Sequence, residues 1–151
     1  MDREERPLRF ADLSPGLAVE TEAREVTEEA VEAFARLTGD ENPLHLDDTY
    51  AAETPFGGRI AHGLLVLSLV SGLTYQLGLL QREGAAFTAL EWKYRAPVRI
   101  GDRIRARLEV QRRRALGEQG GVIVLQVSVL NQRDEVVQRG TWTALLEHRA
   151  G

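Results

Sequence analysis

GLLVLSLVSGLTYQLGLL, residues 63–80, is the stretch that decides how this chain folds. It is apolar on nearly every side, so it must either cross a membrane or lie at the centre of a domain. As a helix its 18 residues reach about 27 Å, slightly short of a hydrocarbon core of about 30 Å. It carries Ser68, Ser71, Gly72, Thr74 and Gln76, and no cluster of positive charge closely flanks it. The expectation is therefore a buried helix in a soluble protein.

A buried helix needs a cover, and the C-terminal half of the chain can supply one. After Leu80 the apolar period changes from helical to alternating. In RIRARLEV, Ile104, Ala106, Leu108 and Val110 share one face, while Arg103, Arg105, Arg107 and Glu109 share the other. In VIVLQVSVL, the apolar face is Ile123, Leu125, Val127 and Val129. ALGEQGG and NQRDE read as connections, TALEWKYRAPV as extended, and VVQRGTWTALLEH as the last strand. About four antiparallel strands with one buried face need something to pack on, and the apolar helix is the adequate candidate. The predicted class is α+β, a sheet wrapped round a long central helix.

Upstream, a turn at Ser14-Pro15-Gly16 leads into a strand. A helix then begins at Thr27 as N-cap, with Glu28 and Glu29 in the first turn where the dipole favours acids. Ala30, Val31, Phe34 and Leu37 recur at helical spacing, and Gly39 is a natural stop. Beyond it lies TGDENPLHLDDTY, residues 38–50. Asn42-Pro43 punctuates this segment, most of which is expected to be non-helical, with a short helix starting at Asp47 or Asp48. It brings an acid, Asp40, close in sequence to His45, one of three histidines. PFGGRIAH then reads as a loop into the apolar helix.

Composition narrows the options. The chain has 151 residues, which favours one domain, and is 43% apolar. A net charge of -4 argues against a nucleic-acid partner. There is no cysteine, so disulfides, thiolate nucleophiles and cysteine-held zinc are excluded. That composition fits a reducing compartment, and the charged MDREERPLRF does not read as a secretory signal. A cytoplasmic location is the expectation.

Two linked motifs carry a resemblance. Phe34, a short spacer and Gly39-Asp40-Glu41-Asn42-Pro43-Leu44-His45, then His62-Gly63 and Ser71-Gly72, resemble the MaoC-like, (R)-specific enoyl-CoA hydratase family of the hot-dog fold. The match runs over residues 31–73, and the whole chain, 1–151, is expected to be one such domain. The resemblance implies syn addition of water to a trans-2-enoyl thioester, or the reverse dehydration. It implies no metal, no organic cofactor, and a homodimer or larger homo-oligomer. Asp40 and His45 would be the catalytic pair, Asn42 a loop organiser and water ligand, Gly63 an oxyanion-binding N–H donor, and Ser71 a supporting hydroxyl.

That assignment makes chemical sense. Water is a poor nucleophile, and an imidazole beside a carboxylate can take and return its protons near neutral pH. Charge building on the thioester oxygen calls for donors, and a helix N-terminus supplies unpaired N–H groups. Which of Asp40 and His45 deprotonates water stays open, as does coenzyme A against acyl-carrier protein. Arg59, Lys93, Arg95 and Arg112, Arg113 and Arg114 are candidates for phosphate contacts. Other readings are plainer. Asp47 and Asp48 are read as caps or solvated acids, and His62 as a loop anchor. Ser71, without a nucleophile elbow, is a helix residue buried beside Gly72. Trp92 and Trp142 are read as packing, and His148 as a bystander. A metal held by Asp40, His45, Asp47 and His62 is conceivable, but the spacing does not demand it. Two further functions share this frame: a thioesterase, and a non-catalytic acyl-thioester-binding subunit of a dehydratase complex.

Overall fold

The computed structural model of the chain describes residues 9–78, 85–118 and 120–147. Two short strands, β1 (Ala18–Glu20) and β2 (Arg24–Glu25), precede α1 (Glu28–Thr38), α2 (Pro43–Leu46), α3 (Asp48–Ala52) and α4 (Gly63–Gln76). Four longer strands complete the chain: β3 (Ala86–Tyr94), β4 (Arg103–Ala115), β5 (Gly120–Leu130) and β6 (Val136–Glu147). The sheet is antiparallel in the order β1-β4-β5-β6-β3, and β2 also pairs with β4.

The alternation in β4 and β5 does what the sequence implies. Ile104, Ala106, Leu108, Val110, Ile123, Leu125, Val127 and Val129 are all buried. They pack with Leu65, Val66 and Val70 of α4, and with Trp142 and Ala144 of β6. Full burial of each large aliphatic side chain contributes about 1.5–3 kcal/mol, so this layer dominates the stability. No helix among the described residues is long and apolar enough to cross a membrane.

Two expectations need correction. Residues 38–50 are more helical than their punctuation suggests. Pro43 opens α2 at its first position, where its missing N–H costs nothing and its fixed φ is already helical. The apolar helix, in turn, is not buried all round. Leu65, Val66, Val70, Leu73 and Thr74 face the sheet, but Leu64, Ser68, Gly72 and Tyr75 form an exposed stripe, and Ser71 is only half-buried. One sheet can cover one side of a cylinder and no more. Leu79, Leu80 and His148 lie outside the described residues.

Candidate active site

The first half of the site is a bend fastened by its own backbone. α1 starts at Thr27, whose hydroxyl accepts from the Ala30 N–H, and ends at Gly39 in the left-handed region, φ 81°. Asp40 comes next, with its carboxylate in solvent and its Oδ1 accepting from the Asn42 N–H at 3.4 Å. The Asn42 side chain caps α2 by accepting from the Leu44 N–H at 2.9 Å. His45 then points inward from α2, with only 9% of its surface exposed.

The histidines bind this bend to the start of α4. His45 Nδ1–H donates to the Ile60 carbonyl at 2.7 Å, so the lone pair of the neutral ring sits on Nε2. His62, the N-cap residue of α4, donates from Nε2–H to the Asp40 carbonyl at 2.9 Å. Its ring lies against His45 at 3.8 Å between centroids, tilted by 31°, and meets Phe34 of α1 at 4.9 Å, tilted by 59°. Ring nitrogens of His45 and His62 and a carboxylate oxygen of Asp40 lie within 4.8 Å of one another. The acid and the imidazole therefore converge, and they do so beside the tip of α4.

Burial holds the His45 imidazole below the usual histidine range. The Ile60 carbonyl pulls it back up, the His62 ring pushes it further down, and Asp40 raises it again. Those three side chains are also metal-ligand types. Each histidine commits one nitrogen to a backbone carbonyl, which leaves one further nitrogen on each ring.

Gly63 occupies the first turn of α4, where backbone N–H groups lack intrahelical acceptors. The reason for glycine there is specific. A Cβ at Gly63 would lie 2.6 Å from Cε1 of the Tyr94 ring. Nothing in the sequence hints at this neighbour. Gln138, also missed, donates from its amide to the Gly63 carbonyl at 3.2 Å and accepts from Trp92 Nε1–H at 2.9 Å. Its signal was present: it is the one amide on the inward stripe Gln138, Gly140, Trp142, Ala144 and Leu146 of β6. Gly63, Tyr94, Arg95, Ala96 and Gln138 line a cleft of about 360 Å³.

The remaining candidates separate. Arg59 is not available to a phosphate: its side chain is 7% exposed, donates to the His45 carbonyl at 2.7 Å and pairs with Glu28 at 2.6 Å. Arg113 donates to the Phe10 and Ala11 carbonyls. Arg95 alone among the named cations shares the cleft with Gly63. Lys93 lines a small hollow with Glu91 and Arg139, and Arg112 and Arg114 line a separate one on β4 and β5. Ser71 is two turns further along α4, about 12 Å from Gly63, and donates to the Ser68 carbonyl. It lines another hollow with Gly72, Tyr75 and Phe87.

Comparison with known proteins agrees with this architecture. A family model described as a MaoC like domain matches residues 11–132. A 3-hydroxybutyryl-CoA dehydratase of Methylorubrum extorquens is 45% identical over 116 residues, 73% of this chain and 71% of that protein. An (R)-specific enoyl-CoA hydratase of Aeromonas caviae is 39% identical over 102 residues, 68% of this chain and 72% of its own. The solved (R)-hydratase of A. caviae, involved in PHA biosynthesis, superposes with a TM-score of 0.77 at 31% identity, covering 89% of this chain and 97% of that one. The inward-facing sheet, the helix it covers and the histidine-bearing bend at the helix tip thus have one common explanation: this chain belongs to the MaoC-like family of the hot-dog fold.

Proposed function

We propose that the protein adds water to trans-2-enoyl thioesters to give the (R)-3-hydroxyacyl product, and catalyses the reverse dehydration. The observation that carries this reading is the convergence of the Asp40 carboxylate and the His45 imidazole beside the first turn of α4. A single water between them would donate one O–H to the carboxylate and the other to His45 Nε2. Its oxygen would attack C3 as one of the two groups takes the proton. The pair then returns a proton to C2 on the same face, so the addition is syn. Such acid–base assistance is typically worth about 10²- to 10⁴-fold. The thioester oxygen would accept from Gly63 N–H, whose position at the helix start supplies an unpaired donor in a positive field. No step requires a metal or an organic cofactor.

The substrate belongs to the same proposal: an acyl chain on coenzyme A or acyl-carrier protein, with Arg95 at the cleft as the best-placed cation for a phosphate. We also propose a homodimer. Among the described residues β3 is an end strand paired only with β6; its Phe87, Leu90 and Tyr94 are exposed, as are Leu64 and Tyr75 of α4, and Phe87 shares a hollow with Tyr75. An unpaired nine-residue edge next to an apolar stripe favours a second copy. Cytoplasmic residence completes the reading and accords with the cysteine-free composition.

The test is to mix the protein with trans-2-enoyl-CoA substrates of several chain lengths and follow loss of the conjugated thioester absorbance, with chiral analysis of the product. The expected result is hydration to the R alcohol. Free-thiol release without hydration would favour a thioesterase. Absence of either reaction from a folded protein would favour a binding subunit.

A further inference from the structure

His62 takes no part in the proposed proton transfers, yet it touches both members of the pair. Its side chain is buried, with 2% exposure. Nε2–H holds the Asp40 carbonyl, and the ring touches both His45 and Phe34. Nδ1 is buried with no hydrogen-bond partner among the described residues. A ring needed only to fill space would be cheaper as phenylalanine, because an unpaired buried polar atom is costly. A residue needed only to cap α4 would aim its side chain at that helix, and His62 makes no side-chain cap bond.

We propose that His62 is a positioning residue: it fixes the distance between the Asp40 carboxylate and the His45 imidazole. The inference deepens the hydratase reading and rests on it for its kinetic consequence. It also explains the aromatic residue of the first motif. Phe34 touches His62, which touches His45, so α1, the tip of α4 and α2 meet through three rings in mutual contact. The same contacts fix the tautomers. His62 carries its proton on Nε2, and His45 carries its own on Nδ1 against Ile60, which leaves His45 Nε2 for the water.

The charged and titratable groups facing His45 are Asp40 on the bend and His62 on α4. Behind its backbone carbonyl stands Arg59, paired with Glu28 of α1 and near Asp48 of α3. Of these, His62 is the neighbour that pushes the imidazole down. Its removal must therefore move the His45 titration up in pH, and the acid limb of kcat with it. A ring that only filled space would be replaced without loss by phenylalanine, and His62→Phe would then leave both unchanged.

The first arm needs no variant. With ¹⁵N-histidine label and three histidines in the chain, nitrogen–proton correlation spectra assign each tautomer. The expected result is a proton on Nε2 of His62 and on Nδ1 of His45, and the opposite tautomer in either ring overturns the proposal. The second arm uses two substitutions. His62→Gln keeps a donor near the Asp40 carbonyl and loses the ring. His62→Phe keeps the ring and loses the donor. Both should raise the His45 titration midpoint. His62→Phe should lower kcat by about 10²-fold, the cost of a misplacement near 1 Å, and His62→Gln by less. KM should move by no more than about threefold, since His62 does not meet substrate. Unchanged kcat and an unmoved His45 titration in folded variants would overturn the idea. If the wild type turns over no enoyl thioester, the hydratase reading fails, while the tautomers and the His45 titration still decide the role of His62.

Discussion

The bend and the sheet hold their residues by different means. On β4 and β5, stability comes from large apolar side chains removed from water, and each is replaceable by another of similar volume. In the bend, side chains grip backbone carbonyls: His45 holds Ile60, His62 holds Asp40, and Arg59 holds His45. The acid itself, Asp40, stands in solvent with one long contact to the Asn42 N–H. The lesson is that chemistry and stability sit on separate residues, so they should fail separately.

The largest separation should appear at the pair. Asp40→Asn and His45→Gln are each expected to reduce kcat by about 10²- to 10⁴-fold. Thermal melting of Asp40→Asn should stay within about 0.5 kcal/mol of the parent, as for other exposed positions. Leu125→Ala on β5 should do the reverse. Its fully buried side chain should cost about 2–5 kcal/mol in urea unfolding, with kcat near normal while the protein stays folded. A destabilised Asp40→Asn, or an inactive but stable Leu125→Ala, would break the distinction.

Gly63 sharpens the comparison because it lies where the two regions meet. Gly63→Pro removes the N–H and should cost about 2.7–4 kcal/mol in kcat/KM, as for other lost oxyanion donors. Gly63→Ala keeps the N–H and only displaces the exposed Tyr94 ring, so its effect should be smaller. Equal losses would show that crowding, not the donor, matters there. Arg59→Met, which releases the His45 carbonyl, should lower kcat by about tenfold with little change in KM.

The smallest effect concerns pH. Since the His45 imidazole is held below its usual value near 6.5, its lone pair survives into mildly acidic solution. The midpoint of the acid limb of hydration should therefore lie below about 6.5. A midpoint above neutrality would contradict the burial of His45.

Much of this was legible from residues alone. Period-two alternation located β4 and β5, and Thr27 and Gly39 bounded α1, because both are local signals. Asp40, Asn42 and His45 stand close in sequence, so their convergence needed one bend and no long-range folding. Tyr94 and Gln138 were invisible because they reach Gly63 from 31 and 75 residues away, through the pairing of β3 with β6. Arg59 misled because a cation in a glycine-containing loop reads as solvent-facing, and only the fold supplies Glu28 opposite it. The exposed stripe on α4 was hidden by its own composition: Leu64 and Tyr75 are as apolar as the residues that face the sheet.

Stereochemistry in heavy water tests the central claim most directly. If Asp40 and His45 work on one water at one face, hydration of a trans-2-enoyl-CoA in D2O must place the deuteron at C2 and the hydroxyl at C3 on the same side. NMR of the product should show a single syn diastereomer with R configuration at C3. An anti product, or a mixture of the two, would contradict the account.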